Sequence, residues 1–427
     1  MPKINRRKAP PHSVFNNFQI KLPEHYNLDN QIPVTLLNMG EQDVAMVKLL
    51  FPAGNRQEQN RQTAYLTNRM LLEGTSSYSS AELSNAIEFY GATIQLRAKN
   101  NHAEVVLYTL TKHLPALLPL LKEIVTAATF PENELQTVVQ NIKRFLLVQQ
   151  EKVEAIADDI FKAKLFGETH PYGYPNKAED FDVLSVEQLQ YFYKKHYSAD
   201  NCAIYLAGKF SDKDLQAIAQ HFDGSDWQNG HRVADIECPI APFVPEQHFI
   251  EKKDAVQAAI RIGCPLFNKT HPDYQGLFVL NTLLGGFFGS RLMGNIREEK
   301  GYTYGIYSSL TSFIDAGYLA IQTEVGTDIW KDASREIFFE MERLRNELIE
   351  DDELNIVRNY LLGNILMNLS GTFNLASTLQ GTFVYGLGVD FYYSFIETIK
   401  NISPQQLRDL AQKYLRNEQM LQVVVHG

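Results

Sequence analysis

The chain is written twice. Glu134-Leu135-x-x-Val138 in the first half is matched by Glu353-Leu354-x-x-Val357 in the second, and Ser185-Val186-Glu187-Gln188-Leu189 by Ser403-Pro404-Gln405-Gln406-Leu407. The two displacements differ by a single residue, an agreement that unrelated helices rarely keep. Each half also closes alike: a helix through Lys194-Lys195-His196-Tyr197 leads to the apolar run 203–207, and one through Gln412-Lys413-Tyr414-Leu415 leads to 421–425. Ser185 and Ser403 stand at N-cap positions, where a hydroxyl accepts an otherwise orphaned amide hydrogen. The strand-like runs 44–51, 93–98 and 104–109 recur as 255–263, 303–308 and 317–323. Strands that neighbour one another as hairpins, mixed with helices, predict an α+β fold rather than a doubly wound parallel sheet. The expected architecture is two homologous lobes arranged as a clamshell, each a largely antiparallel sheet with helices on one face. The first lobe would span 1–223 and the second 248–427. Between them Gly230, Pro239, Pro242 and Pro245 mark 224–247 as a linker. A cleft between such lobes is a favoured place for a ligand.

At 427 residues the chain exceeds one ordinary core, and 44% hydrophobic residues supply enough apolar surface for two. The formal charge of −10 argues against nucleic acid or an anionic membrane as the main partner, since both demand a basic face. Cys202, Cys238 and Cys264 are odd in number and unpaired in spacing, which fits a reduced compartment. The basic amino terminus has no apolar run behind it. The longest apolar stretch, 114–128, is broken by Pro115, Pro119, Lys122 and Glu123, so neither a signal sequence nor a membrane span is read. The expectation is a cytoplasmic protein.

The eleven histidines form no His-x-His or His-x-x-x-His pair, and no Cys-x-x-Cys occurs. His102, His113 and His170 read as solvated or satisfied rather than as ligands. Gly285-Gly286 and Gly289 lack a following Gly-Lys-Ser/Thr, so they read as a close-packed helix entry and not as a phosphate cradle.

Four stretches together carry a resemblance: 53–75, containing Tyr65-Leu66-Thr67-Asn68-Arg69; Phe161 to Gly167 with His170-Pro171-Tyr172-Gly173-Tyr174-Pro175; Gly285 to Leu292; and Ile296-Arg297-Glu298-Glu299-Lys300-Gly301-Tyr302-Thr303-Tyr304. From about residue 17 to the end, the chain resembles the pitrilysin/insulinase family of zinc metallopeptidases, in its mitochondrial-processing-peptidase-like, two-subunit form. The resemblance places the family's inverted His-x-x-Glu-His motif at Tyr65, Asn68 and Arg69. Two of these replacements are neutral and one is a cation, so imidazole ligands and general base are gone and a charge that repels Zn²⁺ has arrived. Where the family adds a glutamate ligand downstream, this sequence has Phe145, Leu146 and Leu147. The nearest acids are Glu151 and Glu154, either of which would sooner pair with Arg69 than hold zinc. No metal is expected in this chain.

The family's second motif, an Arg on a helix and a Tyr seven positions later on the next strand, is matched by Arg297 and Tyr304. The resemblance implies that they reach the substrate near the scissile bond. A phenol can donate to a carbonyl oxygen as charge develops there, and a guanidinium holds a carbonyl or carboxylate with a fork of donors. The structural alternative is that Arg297 pairs with Glu298 or Glu299 while Tyr304 packs with Tyr302 and Ile306 on a strand face. Tyr302 and Tyr307 are fallback candidates, and Ser290-Arg291 reads as structural.

The implied function is that of a non-catalytic, substrate-binding subunit of a heteromeric zinc endopeptidase, inactive alone. A paralogous partner subunit would carry zinc and the general base. The peptide substrate would lie extended, adding a strand to an exposed sheet edge. The isolated chain could also form a homodimer. The alternatives are a structural or scaffolding homologue and a stand-alone peptide-binding protein.

Overall fold

The computed structural model describes residues 19–224, 227, 233, 236 and 238–427. The basic amino terminus and part of the 224–247 segment lie outside the described residues.

The duplication read from the sequence reappears in the strand order. The first half contributes β1 (Glu24–Asn27), β2 (Pro33–Asn38), β3 (Val44–Phe51), β4 (Thr93–Ala98), β5 (Ala103–Leu110) and β6 (Ala203–Gly208), and the second β7 (Gln247–Glu251), β8 (Gln257–Leu266), β9 (Ile306–Ser312), β10 (Gly317–Gly326) and β11 (Leu421–His426). The sheets run β1-β2-β6-β3-β5-β4 and β7-β11-β8-β10-β9. With β1 set aside, the two orders are the same. Both sheets are antiparallel except for one pair at the corresponding place, β2 with β6 and β7 with β11. The halves form the two lobes of a clamshell, each with its own core. Ser185 and Ser403 cap their helices as expected. Each accepts from the backbone N–H three residues on, while Gln188 or Gln406 reaches back to the cap N–H.

The structure adds a feature that local patterning does not carry. Helices of its own half cover one face of each sheet, and the other face is covered by a helix from the opposite half. The helix Val153–Phe166 lays Val153, Ala157, Phe161 and Leu165 against Ala259, Leu421, Val423 and Val425 of the second sheet. Reciprocally, Leu375 and Leu379 of the helix Thr372–Phe383 join Leu37, Met46, Val106 and Ala207 of the first. Each exchanged helix is also held by a polar contact to its host's central strand. Arg261 on β8 pairs with Asp158 at 2.6 Å, and Lys48 on β3 donates to the Gln380 side-chain oxygen, whose amide donates to Glu104 at 3.2 Å. Burial pushes the Lys48 ammonium below its usual range, against the Glu104 charge.

Candidate functional site

The three zinc-motif positions sit on the helix Thr63–Met70, beside the edge strand β4. Its first turn is held by Glu58, whose carboxylate accepts from the backbone N–H of Gln62 at 3.1 Å and of Ala64 at 3.0 Å, as well as from the Tyr174 hydroxyl. Burial raises the Glu58 carboxyl to about 7, against these hydrogen bonds. The His170–Pro175 stretch is therefore a structural clamp. His170 accepts the Tyr172 N–H on Nδ1, so its Nε2 carries the proton and donates to the Cys238 carbonyl at 3.1 Å. Tyr172 stacks on Phe313 of the second half, ring centroids 4.1 Å apart.

On this helix the three motif positions have different fates. Tyr65 is half-exposed, edge-on to Phe181. Asn68 is buried, its Nδ2 donating to the Tyr197 hydroxyl at 3.1 Å and reaching the Glu104 carbonyl at 3.5 Å. Arg69 lies at the surface, paired with Glu73 at 2.8 Å. Among the described residues neither Glu151 nor Glu154 pairs with Arg69: Glu151 is taken by Lys252 at 2.9 Å, and Glu73 lies one helical turn from Arg69. Phe145 and Leu147 are exposed and Leu146 packs on the first core. A zinc ion does not fit these residues: a phenol and a paired guanidinium stand at the two histidine positions and an amide at the general-base position, and among the described residues no group of three His, Cys, Asp or Glu could hold a metal.

Arg297 and Tyr304 are brought together. Arg297 is on the wide helical turn Met293–Glu299, which ends where Gly301, at φ +67°, reverses the chain. The returning backbone carries the Tyr304 carbonyl to 3.0 Å from Arg297 Nε. Tyr304 is not on a strand, as β9 begins only at Ile306. The cause lies on either side of it. Thr303 Oγ1 donates to the Glu324 carbonyl at 2.7 Å and accepts from the Gly305 N–H at 3.0 Å, fixing the loop so that the side chain between them projects outward. Tyr304 is 96% exposed and packs with neither Tyr302 nor Ile306, which belong to the second core and its margin. Arg297 lies over the Phe288 ring at 4.6 Å and makes a long ion pair with Glu298 at 3.9 Å, as the structural alternative expects. Phe288 is itself exposed, and its signal in the sequence is the Phe287-Phe288 pair directly after the glycines. Of the fallback residues, Tyr307 is half-exposed on β9. Ser290 is buried, and Arg291 forms a two-pronged pair with Glu353 at 2.8 and 2.9 Å, a structural role as expected. Among the described residues no hydrogen bond, ion pair or ring contact joins Tyr65, Asn68 or Arg69 to Arg297 or Tyr304.

Two family models match: "Insulinase (Peptidase family M16)" over residues 34–172 and "Peptidase M16 inactive domain" over 184–361. The chain belongs to the M16 peptidase family. The first M16 match contains the altered zinc motif, and the inactive-domain match contains Arg297 and Tyr304. A relative named uncharacterized zinc protease YmxG, from Bacillus subtilis, is 24% identical over 353 residues, covering 82% of this chain and 85% of its own. One named non-peptidase homolog YmxG, from Helicobacter pylori, is 22% identical over 407 residues, covering 92% and 88%. The crystal structure of a peptidase M16 inactive domain from Pseudomonas fluorescens superposes with a TM-score of 0.86 at 24% identity, covering 95% of this chain and 98% of that one. The chain is an M16 homologue of the non-catalytic type.

Proposed function

We propose that this chain is the substrate-binding subunit of a heteromeric M16 endopeptidase, with zinc and the general base held by a paralogous partner. The observation that carries the reading is the contrast between the two motifs. Asn68 has been absorbed into the first core and Arg69 into a local ion pair, whereas Tyr304 has no packing role at 96% exposure and is held on a loop pinned at both sides. An exposed aromatic on a rigid mount, beside an Arg and a second exposed ring, is the composition of a contact surface. Its residues suit an extended peptide: the Tyr304 hydroxyl donates to a backbone carbonyl, and the guanidinium, fixed through Nε and in only a long contact with Glu298, presents its terminal nitrogens to a carbonyl or carboxylate.

The test is reconstitution with an M16 subunit that retains His-x-x-Glu-His. Tyr304→Phe and Arg297→Ala should leave assembly intact and each lower turnover by roughly a hundredfold, the usual effect of losing one charge-stabilising donor. Unchanged turnover in both variants would instead favour a scaffolding role.

A further inference from the structure

A cavity of about 500 Å³ lies in the second half along strand β9, the edge of its sheet. Ser308, Ser309 and Leu310 all line it. Their side chains alternate between sheet faces, so the cavity follows the strand's open edge rather than one face. The edge is already capped at two positions. The Ser308 carbonyl accepts from Asn281 Nδ2 at 3.2 Å, and the Ser312 carbonyl from the Tyr385 hydroxyl at 2.8 Å. In an antiparallel ladder every second residue turns its backbone groups the same way. Leu310, midway between these two, therefore turns its N–H and C=O away from β10 and toward the cavity.

Two further groups facing this space lack complements. Asn281 is 6% exposed, and among the described residues its side-chain oxygen has no hydrogen-bond partner. The amide orientation is fixed, because its nitrogen serves the Ser308 carbonyl. Lys269 donates to the Gly381 carbonyl at 3.0 Å and lies over the Tyr385 ring at 4.9 Å, and among the described residues it makes no ion pair. Among the described residues no carboxylate lines the cavity. Burial lowers the Lys269 ammonium's pKa, as expected of a cation without an anionic partner. The walls around these groups are mixed, with Phe278, Phe391 and Phe395 beside the amides of Asn364 and Asn368. Gly285 permits the arrangement: a Cβ there would stand 2.7 Å from the Ser308 nitrogen, so only glycine lets the preceding helix close against β9.

We infer that this cavity is a peptide subsite in which an extended segment pairs with the Leu310 backbone and places a carboxylate at Lys269. This rests on the peptide-binding reading and narrows it to acid-bearing peptides. An added strand needs an N–H and a C=O at one edge residue, which Leu310 offers, and a cation without a counter-charge selects an anion over a second cation. Cavities of this size take several heavy-atom groups at once, so backbone and side chain can both enter.

The experiment is fluorescence anisotropy with dye-labelled hexapeptides on the full chain. One peptide is end-capped with a central Glu, one has Gln in its place, and one has Gln with a free C-terminal carboxylate. The expected result is that at least one carboxylate peptide binds on the order of tenfold more tightly than the capped Gln peptide, the usual worth of a charged hydrogen bond. Whichever does so identifies side chain or terminus as the source. Lys269→Met should abolish that preference while leaving the Gln peptide's affinity unchanged. Leu310→Pro removes the outward N–H at an edge position that tolerates proline, and should weaken all three peptides. Equal binding of acid and neutral peptides, or a preference that survives Lys269→Met, overturns the subsite and leaves the peptide reading standing. If none of the three binds, both fall.

Discussion

Replacing Asn68 by Asp tests whether the old general-base position has become core. The exchange is isosteric, so packing is untouched and only the hydrogen-bonding character changes. A carboxylate there would face the Tyr197 hydroxyl and the Glu104 carbonyl in a site 2% exposed. The hydroxyl can turn to donate, but the carbonyl cannot. An uncompensated buried charge costs about 3–5 kcal/mol, and one hydrogen bond to a charge returns about 1.5–3 kcal/mol. The net penalty at neutral pH is therefore about 2 kcal/mol. Because that penalty falls on the charged form, the folded-state carboxyl titrates roughly one to two pH units above its unfolded value. The direction follows: a carboxyl raised on folding adds stability below its unfolded pKa and loses it as pH rises through the folded one. Urea unfolding at about pH 8 and about pH 5 should show Asn68→Asp losing about 2 kcal/mol against the parent chain at the higher pH and recovering part of it at the lower. Asn68→Ala, which adds no titrating group, should show a deficit that does not change with pH. A variant as stable as the parent at pH 8, or a deficit that grows toward acid, would refute the argument.

Restoring the whole motif with Y65H, N68E and R69H should still give neither stoichiometric zinc by elemental analysis nor peptidase activity, since Phe145, Leu146 and Leu147 stand where the downstream glutamate ligand is expected; efficient hydrolysis by that variant would count against the reading. His196, fully buried with Nδ1 3.0 Å from the Pro52 carbonyl, is depressed to about 4 by burial. Its folded pKa lies below the unfolded one, so the parent chain should lose up to about 3 kcal/mol as pH falls from 6.5 to 4, a slope that His196→Asn, which keeps an N–H for Pro52, should flatten in pH-dependent denaturation. Gly285→Ala should cost about 1–3 kcal/mol through the clash with Ser308 and weaken peptide binding at β9, both measurable in one titration series. Arg261→Met, which removes the pairs to Asp158 and Glu324, should speed amide exchange along 153–166 far more than along 114–126; uniform acceleration would show global destabilisation instead.

The duplication was legible because it is periodic. Ser185 and Ser403 announce their helices through local hydrogen bonding, and the near-continuous apolar runs 44–51 and 421–425 are visible without any distant partner. Tyr304 illustrates where such reading stops. Its neighbours are β-prone, but Gly301 and the Thr303 hydroxyl hold it in a turn whose partner, Glu324, lies far along the chain. Arg69 went to Glu73 rather than a downstream acid because an ion pair one turn away costs less ordering than one between helices. Lys269 and Asn281 had no sequence signal, for their significance lies in what fails to face them. Nor does Phe161 reveal that it packs on the opposite sheet: an apolar helix face does not name its partner.

The exchange of helices between the halves bears on how such a protein can come into being. A single repeat would leave one face of its sheet bare and its own crossing helix without a host. The smallest self-sufficient unit is therefore two repeats, whether joined or separate. A half-length chain of this kind would have to meet a second copy in order to fold, and a single chain holding both makes that encounter permanent. Once the copies shared one chain they no longer needed to stay alike, and Lys48 and Arg261 show them already apart, doing one job with different chemistry.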